Sequence, residues 1–548
     1  MKIALAQLNY KVGDFDGNTQ KMLDYVQKAK QENADLVVFS ELSVCGYPPL
    51  DFLENRDFIQ RTEKSIRAIA KVCQGITAIV GAPVLNPNAK GKKLFNSALV
   101  LRNGKIENKV NKTLLPTYDI FDEYRYFEPN TEFKSIEIDG YKIALTICED
   151  LWDDQPVENS FAQSKLYTVS PLQRLNDQFD LIINIAASPF STLQSDTRKQ
   201  VLINNAKRYQ KPLVYVNQTA ANTELIFDGQ SMFIDAKGTV LYQLKQFEED
   251  FVVIDTKTEQ QAQLPCSFTE IESVYQAIKL GLSDYFKKMG FSKAVLGLSG
   301  GIDSAVVATI AVQVLGKKNV VGLLMPSKFS SDHSITDAVD LAKNLGIEHH
   351  IISIKEAVSA FDSTLMPVFD GTEFGIAEEN IQARIRGTLL MAYSNKFGHI
   401  LLNTSNKSEA AVGYSTLYGD MNGGLSILGD VYKTKVFELA NWLNRDHEII
   451  PRNTIVKPPS AELRPDQKDS DSLPDYDILD QILVRYIEKK ESIQNIIDAG
   501  FEETTVKRTV LMVNRNEYKR FQSPPILRIT GKAFGMGRRM PLVAKYDF

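Results

Sequence analysis

Short apolar runs alternate along the first half of the chain with longer stretches whose apolar positions recur at helical spacing. IALAQL (3–8), DLVVFSE (35–41), ITAIVGAPV (76–84), SALVLRNG (97–104), KIALTICED (142–150), DLIINIAAS (180–188), LVYVNQT (213–219) and SMFIDAKGTVL (231–241) predict strands. NTQKMLDYVQKAKQENA (18–34) and SDTRKQVLINNAKRYQK (195–211) predict amphipathic helices. Several strands are apolar throughout, which suits sheets covered on both faces. LRNGKI and DAKGTV carry the residues of hairpin turns. The pattern lapses in DTKTEQQAQLPCSFTE (255–270), so two domains are expected, 1–260 and 261–548. After it come a helix, ESVYQAIKLGLSDYFKKMG (272–290), and a second β/α series. Its strands are KAVLGLS (293–299), NVVGLLMPS (319–327), EHHIISI (348–354) and HILLNTSN (399–406), which predict a parallel sheet. The polar, proline-bearing SAELRPDQKDSDSLPDYD (460–477) is expected as a mobile loop.

With 548 residues, 43% apolar and 24% charged, the chain exceeds one ordinary core. Its net charge of −5, with scattered basic residues, argues against nucleic acid or an anionic membrane as partner. No run of about 18 apolar residues occurs, so no membrane span is expected. The start, MKIALAQLNY, reads as a first strand rather than a leader. Cys45, Cys73, Cys148 and Cys266 form no CxxC pair and no cluster with histidine. Disulfides and structural zinc are therefore not expected, and a reducing cytoplasmic setting is.

The sharpest local signal is GLSGGIDSA: Gly297, Leu298, Ser299, Gly300, Gly301, Ile302, Asp303, Ser304 and Ala305. A strand runs in and an apolar helix runs out. Glycines admit positive φ and close backbone approach, and N–H groups at a helix N-terminus attract anions. No GK[ST] follows, and the spacing is not GxGxxG. Asp303 and Glu409, each past a strand end, would suit oxygen ligation of Mg²⁺. A helix cap and a solvated surface residue are their plain alternatives. The loop resembles the SGGxDS loop of the ATP-pyrophosphatase family, which implies ATP cleavage between the α- and β-phosphates at a Rossmann-like sheet. NIQARIRGTLLMAYSN, LLNTSNKSE, GYSTLYGD and LGDVYKTKV resemble its NAD-synthetase branch. That resemblance places Thr404 and Lys433 at ATP, and Asn380, Glu409 and Lys519 at deamido-NAD⁺. LSILGD stands where LSPLGD is common.

In the first half, Glu41 (FSELSVCGYPP), Lys112 (NKTLLPTYDIFDEYRYF) and Cys148 (ALTICEDLW) each lie at or beyond a strand-like run. A thiolate attacking an amide, a carboxylate taking the proton and a cation at the oxyanion make coherent chemistry. A nearby lysine would also help hold the cysteine as thiolate. The three motifs, in this order, resemble the nitrilase superfamily, which implies an αββα sandwich, Glu41 as base, Lys112 at the oxyanion, Cys148 as nucleophile and Glu123 as a positioning glutamate. For glutamine it points to Tyr118, Ser188 and the position of Gln194, where the family often carries lysine. The stretch VENSFAQSKLYTVSPLQR (157–174) looks inserted.

A nitrilase-like half joined to an NAD-synthetase-like half implies that deamido-NAD⁺, ATP, L-glutamine and water give NAD⁺, AMP, diphosphate and L-glutamate. Ammonia would tunnel from Cys148 to an adenylated carboxylate, and the family implies a homo-oligomer. Still open are an ammonia-driven synthetase with an inert glutaminase, another ATP-dependent amidotransferase, and a regulatory protein with dead sites.

Overall fold

The computed structural model describes residues 1–154, 165–176, 178–257, 262–465 and 467–546. The expected boundary at 260/261 and residues 157–164 of the inserted stretch lie outside them. The chain divides into two compact units, Met1–Ser267 and Phe268–Phe548.

The first unit begins with β1 (Lys2–Gln7), α1 (Phe15–Gln31), β2 (Leu36–Val38), α2 (Arg56–Val72), β3 (Thr77–Leu85), β4 (Leu94–Arg102) and β5 (Lys105–Asn111). It continues through β6 (Ile136–Ile138), β7 (Tyr141–Ile147), β8 (Leu181–Ile185), α3 (Gln194–Tyr209) and β9 (Leu213–Val216). It closes with β10 (Thr219–Asn222), β11 (Leu225–Asp228), β12 (Met232–Ile234), β13 (Val240–Gln243) and β14 (Asp250–Asp255). Two six-stranded sheets result, ordered β14-β1-β2-β3-β4-β5 and β13-β12-β9-β8-β7-β6. Alternation sorts the first sheet's side chains onto two faces. Ile3, Leu5, Leu36, Val38, Ile79 and Val100 share one core with Ile143, Ile147, Ile183 and Val214 of the second sheet. Ala4, Ala6, Val37, Val80 and Leu99 face Met22 and Val26 of α1 and Ile66 and Ile69 of α2. With α3 against β9 and β12, the layers run helix, sheet, sheet, helix, the expected αββα sandwich.

The turn at Asn103 (φ 51°) and Gly104 (φ 80°) joins β4 to β5, both residues left-handed as a two-residue hairpin of this hand requires. The sequence reading did not mark α2, β6, the β10–β11 hairpin or β14. KIALTICED does not stay extended: the strand ends at Ile147, and Cys148–Leu151 form a 3-10 turn.

The second unit holds α4 (Glu270–Met289), β15 (Ala294–Gly297), α5 (Ile302–Leu315), β16 (Val320–Leu324), α6 (Asp332–Leu345), β17 (Glu348–Ile351), α7 (Lys355–Phe369) and α8 (Ile376–Phe397). Then come β18 (Ile400–Asn403), α9 (Lys407–Val412), β19 (Leu425–Ser426), α10 (Lys433–Leu443) and further short helices. The five strands are parallel in the order β17-β16-β15-β18-β19. Val295, Leu323 and Leu401 face Ile385 of α8, while α5 and α6 contact the sheet at β16, so both faces are covered. Strand order reverses at β15, whose neighbours lead away in opposite directions; a crevice at the strand C-termini is the usual ligand position in such sheets. The 460–477 segment is tied in where it is described: Glu462 accepts hydrogen bonds from Ser331 Oγ (2.6 Å) and Ser334 Oγ (2.7 Å).

The Ile529–Thr530 stretch is locked by buried charge. Ile529 and Thr530 donate their N–H groups to Asp430, each at 2.7 Å. Lys407, fully buried, pairs with Asp430 (2.9 Å) and Glu488 (3.0 Å) and donates to Thr530 Oγ1 (2.6 Å). Among the described residues no helix is long and apolar enough to cross a membrane.

One close approach in the first unit sets a stability test. A Cβ on Gly81 of β3 would lie 2.3 Å from Leu42 N and 2.6 Å from Ser40 O, backbone that cannot flex aside. Gly81→Ala is therefore expected to cost about 1–3 kcal/mol of stability, read as a lower thermal midpoint; an unchanged midpoint would refute the packing.

Candidate functional sites

The first cluster gathers at strand ends. Glu41 lies three residues past β2, Lys112 directly after β5, and Cys148 directly after β7. Glu41, Lys112 and Glu123 are all buried. Lys112 Nζ donates to Glu41 Oε1 and to both oxygens of Glu123, each at 2.8 Å. Asn96 Nδ2 donates to Glu41 Oε1 (2.7 Å), the Ala187 N–H to Glu41 Oε2 (3.0 Å), and Tyr47 OH to Glu123 Oε1 (3.0 Å). Burial alone would discharge Lys112, but Glu123 and Glu41 outweigh it and hold the ammonium well above its ordinary range. Burial pushes Glu123 up to about 7, with Lys112 pulling the other way.

Cys148 completes the group. Its backbone is left-handed (φ 45°), a strained position for a residue with a Cβ and one that clusters at functional sites. Burial first, and then the charge of Glu41, push its thiol well above the ordinary range, against the pull of Lys112. Lys112 pulls toward the thiolate, as expected, but its described hydrogen bonds go to the carboxylates of Glu41 and Glu123, and burial opposes that pull.

Asp150 holds this geometry in place. It accepts the N–H groups of Thr113 and Leu114 (2.9 Å each), next to Lys112, and that of Ile147 (3.0 Å), next to Cys148. Sequence reasoning passed over it because CED was read as extended strand.

Tyr118, Ser188 and Gln194 are the expected glutamine contacts. Tyr118 OH donates to Glu149 Oε1 (2.8 Å), as does Tyr167 OH (2.8 Å), so the buried Glu149 is a further candidate that the sequence did not flag. Ser188 donates its N–H to Asn217 Oδ1 (3.0 Å). Gln194 opens α3, half-buried. The cation beside Ser188 is instead Arg198, four residues further on, 3.5 Å from Ser188 Oγ and paired with Asp228 at 2.7 Å.

The second site is a cavity of about 600 Å³ at the switch point, lined by Gly297, Leu298, Ser299, Gly301, Ile302, Asp303, Ser304, Thr404, Glu409 and Lys433. In the loop after β15 only Gly300 uses positive φ (79°), and a Cβ there would strike Ser334 O at 2.3 Å. Gly301 caps α5 in extended conformation, and its N–H donates to Ser299 Oγ (3.1 Å). Ser304 Oγ donates to Gly301 O (2.9 Å), so the turn is drawn tight and the first amides of α5 stay available to an anion.

Lys433 Nζ lies 2.5 Å from Asp303 Oδ2 and 3.1 Å from Glu409 Oε1. Asn406 Nδ2 donates to Asp303 Oδ1 (2.9 Å). Burial pushes Glu409 up to about 8, against Lys433. Asn380 and Lys519 are not among the residues lining the cavity: Asn380 Oδ1 accepts Thr416 Oγ1 (2.7 Å), and Lys519 Nζ donates to Gly413 O and Ser415 O (2.7 Å each). Arg386, Asp420 and Asp469 also line the cavity and were not singled out in the sequence. Among the described residues no three His, Cys, Asp or Glu side chains gather as a metal cage. Two carboxylates with oxygen donors only do fit magnesium, which keeps waters and substrate phosphates in its shell.

Residues 2–264 match the carbon-nitrogen hydrolase family and residues 274–523 match NAD synthase. Fold and matches together define a nitrilase-type unit joined to an NAD synthase unit. A glutamine-dependent NAD(+) synthetase of Synechocystis sp. is 47% identical over 99% of this chain and 99% of its own length. That of Thermotoga maritima is 40% identical, covering 100% of this chain and 99% of its own. The solved glutamine-dependent NAD+ synthetase from Acinetobacter baumannii, in complex with ADP, matches with a TM-score of 0.78 at 37% identity, covering 99% of this chain and 98% of its own. That from Cytophaga hutchinsonii shares the fold, with a TM-score of 0.81 at 21% identity over 99% of this chain and 98% of its own. The chain belongs to the glutamine-dependent NAD(+) synthetase family.

Asp150→Asn puts a donor where an acceptor meets three amides, loosening Lys112 and Cys148 together. Glutamine hydrolysis should fall by on the order of 10²-fold, the scale set by misplacing reacting groups by about 1 Å. Ammonium-driven synthesis should hold, and assays with each nitrogen source separate the two.

Proposed function

We propose that this chain, as a glutamine-dependent NAD(+) synthetase, hydrolyses glutamine at Cys148 and uses the ammonia, with ATP, to amidate deamido-NAD⁺ in its second unit. The observation that carries the first half is the buried Glu41–Lys112–Glu123 cluster beside a strained Cys148. Glu41 takes the thiol proton as sulfur attacks the glutamine carboxamide carbon. Lys112 steadies the tetrahedral oxyanion. The proton returns through Glu41 to the leaving nitrogen, ammonia departs, and water then cleaves the thioester to glutamate. Glu123, fixed by Tyr47 and Asn96, positions Lys112. Tyr118, Ser188 and Gln194 surround the bound amino acid, and the Glu149 carboxylate offers a partner for its ammonium group.

In the second unit the loop from Gly297 to Ser304 cradles ATP phosphates, helped by Thr404 and Lys433. Asp303 and Glu409 would hold Mg²⁺, which supplies charge neutralisation for the departing pyrophosphate. The pyridine carboxylate of deamido-NAD⁺, near Asn380, Glu409 and Lys519, attacks the α-phosphorus, and the bond to the β-phosphate oxygen breaks. Ammonia then attacks the acyl carbon, AMP leaves, and the nitrogen sheds a proton. Handing neutral ammonia on within one molecule avoids its protonation in water.

We also assign the chain to the cytoplasm, supported by four free cysteines, Cys45, Cys73, Cys148 and Cys266. It works as a homo-oligomer. Phe361, Met366, Val368, Phe374 and Ile376, on α7, α8 and the link between them, are exposed apolar residues, and in this reading a second copy of the chain covers them.

Two measurements follow. Cys148→Ala should abolish NAD⁺ formation from glutamine and retain it from ammonium; equal loss of both would make Cys148 a folding residue. Val368→Asp with Ile376→Asp should lower the mass measured by light scattering to that of a smaller species, and an unchanged mass would exclude this face.

A further inference from the structure

Lys433 is 2% exposed, and its ammonium sits between the two carboxylates to which the preceding reading gives the metal. Both oxygens of Asp303 are engaged: Oδ1 receives Asn406 Nδ2 at 2.9 Å and Oδ2 receives Lys433 Nζ at 2.5 Å. Glu409 Oε1 receives the same ammonium at 3.1 Å. A divalent cation coordinates carboxylate oxygens at about 2.0–2.1 Å. A cation placed between the two carboxylates where the ammonium sits would bring two positive charges within a few ångströms of each other in a buried site, where they repel strongly.

The main chain of Lys433 is fixed while its side chain is long. Its N–H donates to Ser408 Oγ (2.9 Å), and Thr434 gives both N–H (2.9 Å) and hydroxyl (2.8 Å) to Asp480 Oδ2. Beyond Cβ the lysine can move without disturbing that anchor. The face of Tyr476 lies 5.3 Å from Nζ, so the ammonium is also held by an aromatic ring.

We infer that Lys433 is an exchangeable counter-ion: a divalent cation takes its place between Asp303 and Glu409, and the phosphates of ATP receive the displaced ammonium. This rests on Asp303 and Glu409 being the metal carboxylates. Metal without nucleotide must strip the lysine from both close partners and leave it buried with only the more distant Asp469 carboxylate and the Tyr476 ring to meet its charge, which is costly. Nucleotide brings oxygens for the lysine and for the metal at once. Metal and nucleotide therefore promote each other's binding, and by linkage the coupling is the same from either side. The device keeps the carboxylates neutralised between turnovers and admits the metal only together with the substrate it serves.

The test uses full-length protein, Mn²⁺ as the metal, free Mn²⁺ read by electron paramagnetic resonance, and α,β-methylene ATP as an analogue that cannot be cleaved at the reacting bond. Wild type should bind little Mn²⁺ alone at concentrations that saturate the nucleotide-loaded enzyme; tight binding without nucleotide overturns the exchange. Lys433→Met and Lys433→Gln, checked for native circular dichroism, should bind Mn²⁺ alone about tenfold or more tightly than wild type, with the analogue's enhancement reduced to match. Equal or weaker affinity in a folded neutral variant also overturns it. Asp303→Asn combined with Glu409→Gln separates the two readings. If the nucleotide-loaded double variant still binds Mn²⁺ as wild type does, the metal assignment itself fails. If its binding is lost while the neutral lysine variants show no gain, the carboxylates hold metal and only the exchange is wrong.

Discussion

An ammonium buried between two carboxylates lies at each of the two candidate sites, and much else follows from it. A lysine charge taken out of water is tolerated only where opposite charge meets it closely, and removing one partner of such a group costs about 3–5 kcal/mol. In the first unit Lys112 meets Glu41 and Glu123; in the second Lys433 meets Asp303 and Glu409. Each member comes from a different segment, so each triplet closes only when three separate pieces of backbone are in position. Charge balance thereby ties reactive geometry to correct folding.

The supports of these triplets are also carboxylates, used differently. Asp150, Asp480 and Asp430 accept main-chain N–H groups and so hold backbone. Asp150 joins the segments of Lys112 and Cys148, Asp480 fixes the start of α10, and Asp430 fixes the C-terminal stretch. A carboxylate receiving several amides is a rigid strut, because each bond is charge-assisted and the directions differ. Positions that look like ordinary surface acids in the sequence thus turn out to set the reacting groups.

The strand and helix series, the parallel second sheet and the SGGIDS turn were legible because periodicity and glycine placement are local properties, whereas the αββα layer order came only with the resemblance to the nitrilase superfamily. So were Glu41, Lys112 and Cys148, through motif order. What escaped depends on tertiary partners. The β10–β11 turn uses Thr223 and Glu224, neither a turn residue by habit, with Thr223 forced to φ 58°. β14 is a half-exposed partner of β1 across the full length of the unit, so its worth as a strand depends on an edge far away in sequence. Glu149 and Asp150 escaped because a strand reading gives their side chains alternate faces, whereas the 3-10 turn turns both inward. The upward push on the Cys148 thiol also could not be read from neighbours in the motif, since burial is its largest cause.

The pairing of β1 with β14 means that the opening strand of the first unit waits for its closing one. Residues 2–7 have no antiparallel neighbour on that side until residues 250–255 have been made. The second unit is sealed in the same manner by Ile529 and Thr530 on Asp430. During synthesis on the ribosome the glutaminase half can therefore be complete while the other half is still being translated. The synthetase half must stay unfinished until Ile529 and Thr530 have emerged, so loss of that stretch strikes it and spares the first unit.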